Sequence, residues 1–299
     1  MNVHRLAAGV VVQAPAKLNL FFEILAKRDD GYHEIETLMV PIRLYDTLTA
    51  TSEPNGQVRV ACRWAERGAE AMLGELPAEE ENLATRAVML LRRRLGVANG
   101  ISIDLVKRIP SAAGLGGGSS DAAAALLAAN TLWNLGLSAA ALQEIGAELG
   151  SDVPFFLGRG AAVCRGRGER IEPLGRAGAL DFVLVRPPQG LATAKVYANC
   201  RVPSAPRSMT PLIAALETGD ARALARSTHN RLEEAALPLS PWISRLQKEF
   251  ASQDCLAAQM SGSGTAYFGI CRHARHARRV ARRLQARNVG HVYSVSSSN

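Results

Sequence analysis

The stretch PSAAGLGGGSSDAA, Pro110 to Ala123, places four glycines in five positions, Gly114, Gly116, Gly117 and Gly118. Such a run lets the backbone approach a ligand closely and adopt positive φ. It lies between the strand-like ISIDLV (101–106) and an alanine-rich helical segment from about Ser119. Free N–H groups and the positive dipole end of that helix face whatever fills the loop, and a phosphate suits such a place. Ser119 and Ser120 bring hydroxyls for capping the helix, binding phosphate or reaching a metal. Asp121 either complements the dipole or holds Mg2+ through water. Two phosphate motifs are excluded, because no Gly-Lys-Ser/Thr follows the glycines and no register gives G-x-G-x-x-G. A tight turn that binds nothing is the alternative reading of the loop alone.

Two further charged residues carry little signal by themselves. Lys17 lies in PAKLNL, two residues before Asn19 on the same strand face. Asp152 precedes Val-Pro in GSDVPFF. On residue type alone, Lys17 reads as solvated and Asp152 as a turn or cap residue.

The elements that must position these groups follow from periodicity. Residues 18–25 and 36–43 read as strands joined by KRDDGYHE, with weaker strands at 46–51 and 57–63. Asn82 is placed to cap a helix through Leu95, with Gly96 as its stop. A second helix fills about 138–149, and residues 161–164 and 181–186 are strand-like. Thr210 and Ser240 each precede a proline and read as N-caps of helices. Strands at about 264–270 and 290–295 flank a basic helix, 272–287. Strands and helices mix without strict alternation, so the fold class is α+β in two lobes, 1–172 and 173–299.

Composition narrows the function classes. The 299 residues are 47% hydrophobic, which excludes wholesale disorder, and no segment reads as membrane-spanning. The five cysteines never form a Cys-x-x-Cys pair, which argues against a zinc site and for a reducing cytoplasm. We read no signal peptide at the N-terminus. Net charge is +8, and segment 272–287 alone carries seven arginines and no acid. With Val280 and Leu284 as its apolar seam, that helix reads as a surface element with a solvated basic face. The surplus permits a nucleic-acid partner or an anionic small molecule, but an RNA-binding protein leaves the glycine loop without a task.

Together with the glycine loop, APAKLNLFFEI (14–24), DGYHEIETLM (30–39), LGSDVPFFL (149–157) and SGSGTAYFG (261–269) resemble the GHMP kinase superfamily. Within it, the chain is similar to members that phosphorylate a cytidine-diphosphate-linked methylerythritol in isoprenoid precursor synthesis. The homoserine, mevalonate and sugar kinases are the alternatives. The resemblance implies a two-lobed fold, with a ribosomal-protein-S5-domain-2-like N-terminal lobe and a ferredoxin-like C-terminal lobe. It implies ATP and Mg2+ as cofactors, a small-molecule substrate, no nucleic acid, no membrane and a cytoplasmic monomer or weak homodimer.

The resemblance also implies roles. Asp152 is the base for the substrate hydroxyl, and Lys17 holds that carboxylate ionised and stabilises charge on the transferred phosphoryl. Asn19 bonds the substrate hydroxyl or Asp152. Pro110, Ser111, Ala112, Ala113, Gly114, Leu115, Gly116, Gly117, Gly118, Ser119 and Ser120 wrap the ATP phosphates, with Asn82 and Lys107 near the nucleotide. Tyr32 and His33 lie beside the cytosine, Tyr197 stacks on it, and Thr193 lies near the erythritol hydroxyls or phosphate. Ser120 and Asp121 reach Mg2+ through water. Departures are Asp121, where some members carry Asn, and HNRLEEAAL (229–237), where Arg231 replaces an acidic residue. The latter element is given no catalytic role.

Overall fold

The computed structural model describes residues 1–175 and 178–298. The first sheet is built on two long strands. β1 (Asn2–Leu6) turns back into β2 (Gly9–Lys27), which pairs antiparallel with β3 (His33–Glu53). β4 (Val58–Trp64) leads through α1 (Glu70–Leu73) and α2 (Leu83–Leu95) to β5 (Gly100–Lys107), which joins β4 in parallel and β3 antiparallel. α3 (Gly117–Leu132), α4 (Ala139–Ala147) and α5 (Val153–Leu157) follow. β6 (Ala162–Gly166) then pairs with β3, and β7 (Arg170–Pro173) with β6. The strands expected at 18–25, 36–43 and 46–51 are thus pieces of β2 and β3. Pro15 sits at a register shift, and the ladder continues through it.

α3 carries the alanine run. Ala122, Ala123, Ala124 and Ala125 have no exposed surface, and their small side chains let the helix lie close against α2 and β2. Asn82 caps α2 by accepting Ala84 N–H at 2.9 Å, and Gly96 closes it in the left-handed region, as its spacing predicts.

The second half holds β8 (Asp181–Arg186), α6 (Thr193–Ala198), α7 (Thr210–Thr218), α8 (Ala221–Ser227), β9 (His229–Asn230), α9 (Arg231–Ala236) and α10 (Pro241–Ala251). β10 (Ala257–Met260), β11 (Tyr267–Cys271), α11 (Ala274–Gln285) and β12 (His291–Ser296) complete it. The second sheet runs β10-β11-β8-β12, all antiparallel. Numbered in chain order this is 2-3-1-4, with helices after the first and third strands, the ferredoxin-like arrangement. Thr210 is the first helical residue of α7, not its cap; the Ser208 hydroxyl takes its N–H instead. All seven arginines of 272–287 are exposed, as a solvated basic face requires, and several of them meet surface acids. Asp254 gathers Arg279 at 2.5 Å, His276 at 3.0 Å and Arg272 at 3.5 Å, and Glu249 holds Arg287 at 2.6 Å. No helix among the described residues is long and apolar enough to cross a membrane.

The halves are tied through β2. β9 joins its edge in parallel at Phe21 and Phe22. Beside that joint Glu23, with no exposed surface, takes Arg231 in two bonds of 2.8 and 2.9 Å and the backbone N–H of Arg207 at 2.9 Å and of Ile24 at 3.0 Å. Burial pushes its pKa up, but Arg231 and the two amides outweigh that and hold it at about 2, below its ordinary 4.5. A lowered folded-state value adds stability above about pH 4.5 that is lost as pH falls toward 2. Glu23→Gln is therefore expected to lower stability at pH 7 by about 3 kcal/mol and flatten the acid limb of a Tm-against-pH curve. A wild-type curve for the variant, followed by circular dichroism, would contradict this.

Candidate active site

The glycine loop connects β5 to α3. Gly116, at φ 71°, turns the chain, and α3 begins at Gly117, two residues before the expected start. Gly114, at φ 73°, is left-handed as well, and the glycines after Gly116 are helical. No side chain caps this end, so capping by Ser119 or Ser120 is removed as a reading. The unpaired N–H groups open into a cavity of about 1280 Å3 lined by Gly116, Gly117, Gly118 and Ser119. The loop is locked from below. Leu115 C=O accepts Lys17 N–H at 2.9 Å, and Gly114 C=O accepts the Ser261 hydroxyl at 3.1 Å.

Lys17 projects from β2 and is 4% exposed. Its ammonium lies 2.5 Å from Asn19 Oδ1 and 3.4 Å from Asp152 Oδ2. A buried ammonium needs such partners. Asp152 occupies the cap position of α5, yet its side chain bonds no helix N–H. About a third of that side chain is exposed, and it lines the cavity. Its carboxylate is thus held by Lys17 and open to a ligand. Asn19 meets Lys17 rather than Asp152, and its Nδ2 donates to Thr37 at 2.8 Å. The bond to Asp152 allowed by the sequence is absent, because Lys17 stands between them in hydrogen-bond order.

Lys107 and Asp121 differ from their sequence readings. Lys107 Nζ binds both Asp46 and Asp121, all three being buried. Burial opposes the charge on Lys107, but the two carboxylates outweigh it and hold its pKa above the ordinary value. Burial likewise pushes the Asp121 carboxyl up despite that lysine. Asp46 also accepts the N–H groups of Arg108 and Ile109, fixing the chain into the loop. Lys107 therefore serves its neighbours first, although it borders the cavity with Asn82. Ser120 Oγ and Asp121 Oδ1 are buried without partners. Among the described residues no three His, Cys, Asp or Glu side chains form a metal cluster.

At the other end of the cavity lie Tyr32, His33, Thr193 and Tyr197. The His33 and Tyr197 rings are 5.4 Å apart, and Phe22 meets Tyr197 edge-on at 6.4 Å. A planar group slips between two rings only at roughly 7 Å, two contacts of about 3.5 Å, so a base would use an open face here. Burial, then the charge of Lys27, lowers the His33 pKa and favours the neutral imidazole. Of the residues singled out in the sequence, Asn19 and Ser120 alone do not line the cavity; both are buried behind it.

The sequence reading missed the groups that hold the second glycine turn. Asn230 Nδ2 donates to Met260 O at 2.8 Å and Gly262 O at 2.9 Å. Glu233 accepts Met260 N–H and the Tyr267 hydroxyl, both at 2.9 Å. A side chain at Gly262 would lie 3.1 Å from Asn19 Oδ1 and 3.2 Å from Lys17 Nζ, so only glycine lets the turn approach so closely. The element 229–237 thus supports the site through the turn. The available signal was its partial match at Asn230, Leu232 and Glu233, set aside because of Arg231, which instead pairs with Glu23.

Comparison with known proteins agrees. The family model described as GHMP kinases N terminal domain matches residues 82–160, and GHMP kinases C terminal matches 212–290. A 4-diphosphocytidyl-2-C-methyl-D-erythritol kinase of Pelotomaculum thermopropionicum is 42% identical over 278 residues, 92% of this chain and 94% of that one. One of Shouchella clausii is 40% identical over 260 residues, 87% and 84% of the two chains. A crystal structure of 4-(cytidine 5'-diphospho)-2C-methyl-D-erythritol kinase superposes with TM-score 0.77 at 33% identity, covering 97% of this chain and 99% of that one. Homoserine kinase from Cytophaga hutchinsonii, at 20% identity and TM-score 0.76 over 100% and 97%, shares the fold. With matches to both lobes and relatives of this identity along nearly its whole length, the chain belongs to the GHMP kinases, among the 4-diphosphocytidyl-2-C-methyl-D-erythritol kinases.

Proposed function

We propose that the protein transfers the γ-phosphoryl of ATP to the 2-hydroxyl of 4-diphosphocytidyl-2-C-methyl-D-erythritol. One observation carries the reading: the uncapped start of α3 and the Lys17–Asp152 pair open into one cavity, whose far end is aromatic. The glycine loop, Pro110 to Ser120, takes the ATP phosphates on its backbone N–H groups. Asp152 accepts the proton of the hydroxyl as its oxygen bonds phosphorus and the bond to the β-phosphate breaks, releasing ADP. Lys17 keeps that carboxylate ionised and screens charge on the moving phosphoryl. Asn19 orients Lys17 from behind.

Mg2+ belongs to this reading as a companion of the nucleotide, and when bound it neutralises phosphate charge. Asp121, which borders the cavity and leaves its Oδ1 without a partner, is the residue that would reach such an ion through water, whereas Ser120 Oγ is buried behind the cavity. Asn82, Lys107 and the loop between them border the nucleotide half. Tyr32, His33, Thr193 and Tyr197 take the cytidylyl half. The five cysteines are free, in keeping with a cytoplasmic protein. We take it to act as a monomer or weak homodimer without nucleic acid, its surplus charge being concentrated on α11.

The test is a substrate panel with ATP. The cytidylylated erythritol is expected to give ADP and a 2-phosphorylated product one for one; equal or better turnover of homoserine or mevalonate would defeat the assignment. Tyr197→Ala is expected to raise KM for the cytidylyl substrate about tenfold, since a stacked base contributes about 1–3 kcal/mol, with kcat changed less. An unchanged KM would remove Tyr197 from the base site.

A further inference from the structure

Four lysines and arginines line the cavity, namely Lys17, Lys27, Lys107 and Arg167. Lys17 faces Asp152, and Lys107 faces Asp46 and Asp121. Among the described residues, Lys27 and Arg167 have no carboxylate within ion-pair distance. Arg167 is the better anchored. It sits in the turn between β6 and β7, where Gly166 and Gly168 take positive φ and Glu169 accepts its backbone N–H at 2.6 Å. Its guanidinium lies 4.9 Å from the centre of the Tyr32 ring. The same turn abuts the Asp152 loop, since a side chain at Gly168 would lie 3.5 Å from Ser151 Cβ and 3.8 Å from Asp152 Oδ1.

Arg167 therefore borders the cavity at Tyr32, in a turn whose next residue, Gly168, adjoins Asp152. Its fork of N–H donors is spent on no carboxylate. A guanidinium in that state is suited to a phosphate, which it can bind with two parallel charge-assisted bonds. We infer that Arg167 binds the diphosphate that links base and polyol in the substrate. This rests on the proposed function, because a substrate reaching from Asp152 to His33 must carry its anionic linker past this turn. The ring of Tyr32, 53% exposed, supports the guanidinium from one side. No sequence motif singled out this arginine.

Calorimetric titration with cytidine and with cytidine diphosphate separates a phosphate contact from mere support of Tyr32. Arg167→Ala is expected to weaken cytidine diphosphate binding by about 10–100-fold, the range of charge-assisted bonds. Cytidine affinity and the KM for ATP are expected to stay within about twofold. Arg167→Lys is expected to recover part of the loss, and KM for the full substrate to rise far more than kcat falls. Equal losses for cytidine and its diphosphate would make Arg167 only a prop for Tyr32 and overturn the inference, as would no loss in either. A wild-type protein that turns over the cytidylyl substrate while Arg167→Ala is unaffected defeats this inference alone. A wild type that neither binds cytidine diphosphate nor uses that substrate defeats the functional reading with it.

Discussion

Asp152→Asn is expected to lower kcat by about 10^3-fold while leaving nucleotide affinity within about twofold, general-base catalysis being worth roughly 10^2–10^4. The substitution preserves volume and removes both the proton acceptor and the charge opposite Lys17. Since Asp152 bonds no helix N–H, the change leaves α5 its cap geometry and spares the fold. The ammonium of Lys17 keeps Asn19 as a partner at 2.5 Å, so it stays satisfied and near the phosphate path. A loss that appeared in KM for ATP or in Tm would point to structural damage. A kcat within about threefold of wild type would exclude Asp152 as the base. Lys17→Met offers the complementary result: kcat falls, and KM for ATP rises as well, because the lysine serves both the carboxylate and the phosphoryl charge.

Local signals were legible in the sequence, and distant pairings were not. The glycine loop, the Asn82 cap and the helix starting at Pro241 depend on neighbours within a few residues, where turn and capping chemistry is written directly. Lys17 and Asn19 share a face because a strand alternates, so their proximity was readable too. Lys17 and Asp152 meet only through the family pattern, since nothing in their local sequence brings them together. Lys107 finds Asp46, 61 positions away, and Arg231 finds Glu23 across 208 positions. Such ion pairs depend on sheet order and on β9 reaching the edge of β2, which no local propensity encodes. Arg231 illustrates the cost: read against a motif it was a departure, but in space it holds the two halves at β2. The long strands were missed for a related reason. Bulges let β2 pass Pro15 and Asn19 without breaking the ladder, and one of them falls at the residues that form the site.

Gly114→Ala is expected to cost at least about 2 kcal/mol and to raise KM for ATP more than tenfold. At φ 73° the left-handed conformation itself costs a non-glycine residue roughly 1–2 kcal/mol. The added Cβ would also stand 2.1 Å from Ser261 O, a backbone atom that cannot rotate away. The two glycine turns must then separate. That separation breaks the Ser261 hydroxyl bond to Gly114 O and strains the Ala266 N–H bond to Ala113 O at 3.1 Å. Because Gly262 presses against Lys17 and Asn19, the displacement is transmitted to the ammonium as well as to the phosphate loop. Gly118→Ala is the control. Gly118 is helical, and its added Cβ would meet only Leu83 Cδ1 at 3.5 Å, an ordinary contact. Alanine there is expected to hold or raise Tm, by up to about 1 kcal/mol of helix propensity. Melting curves and ATP kinetics on the two variants decide the matter: a Gly114→Ala protein with wild-type Tm and ATP KM would show that the turns need not touch for the loop to bind phosphate.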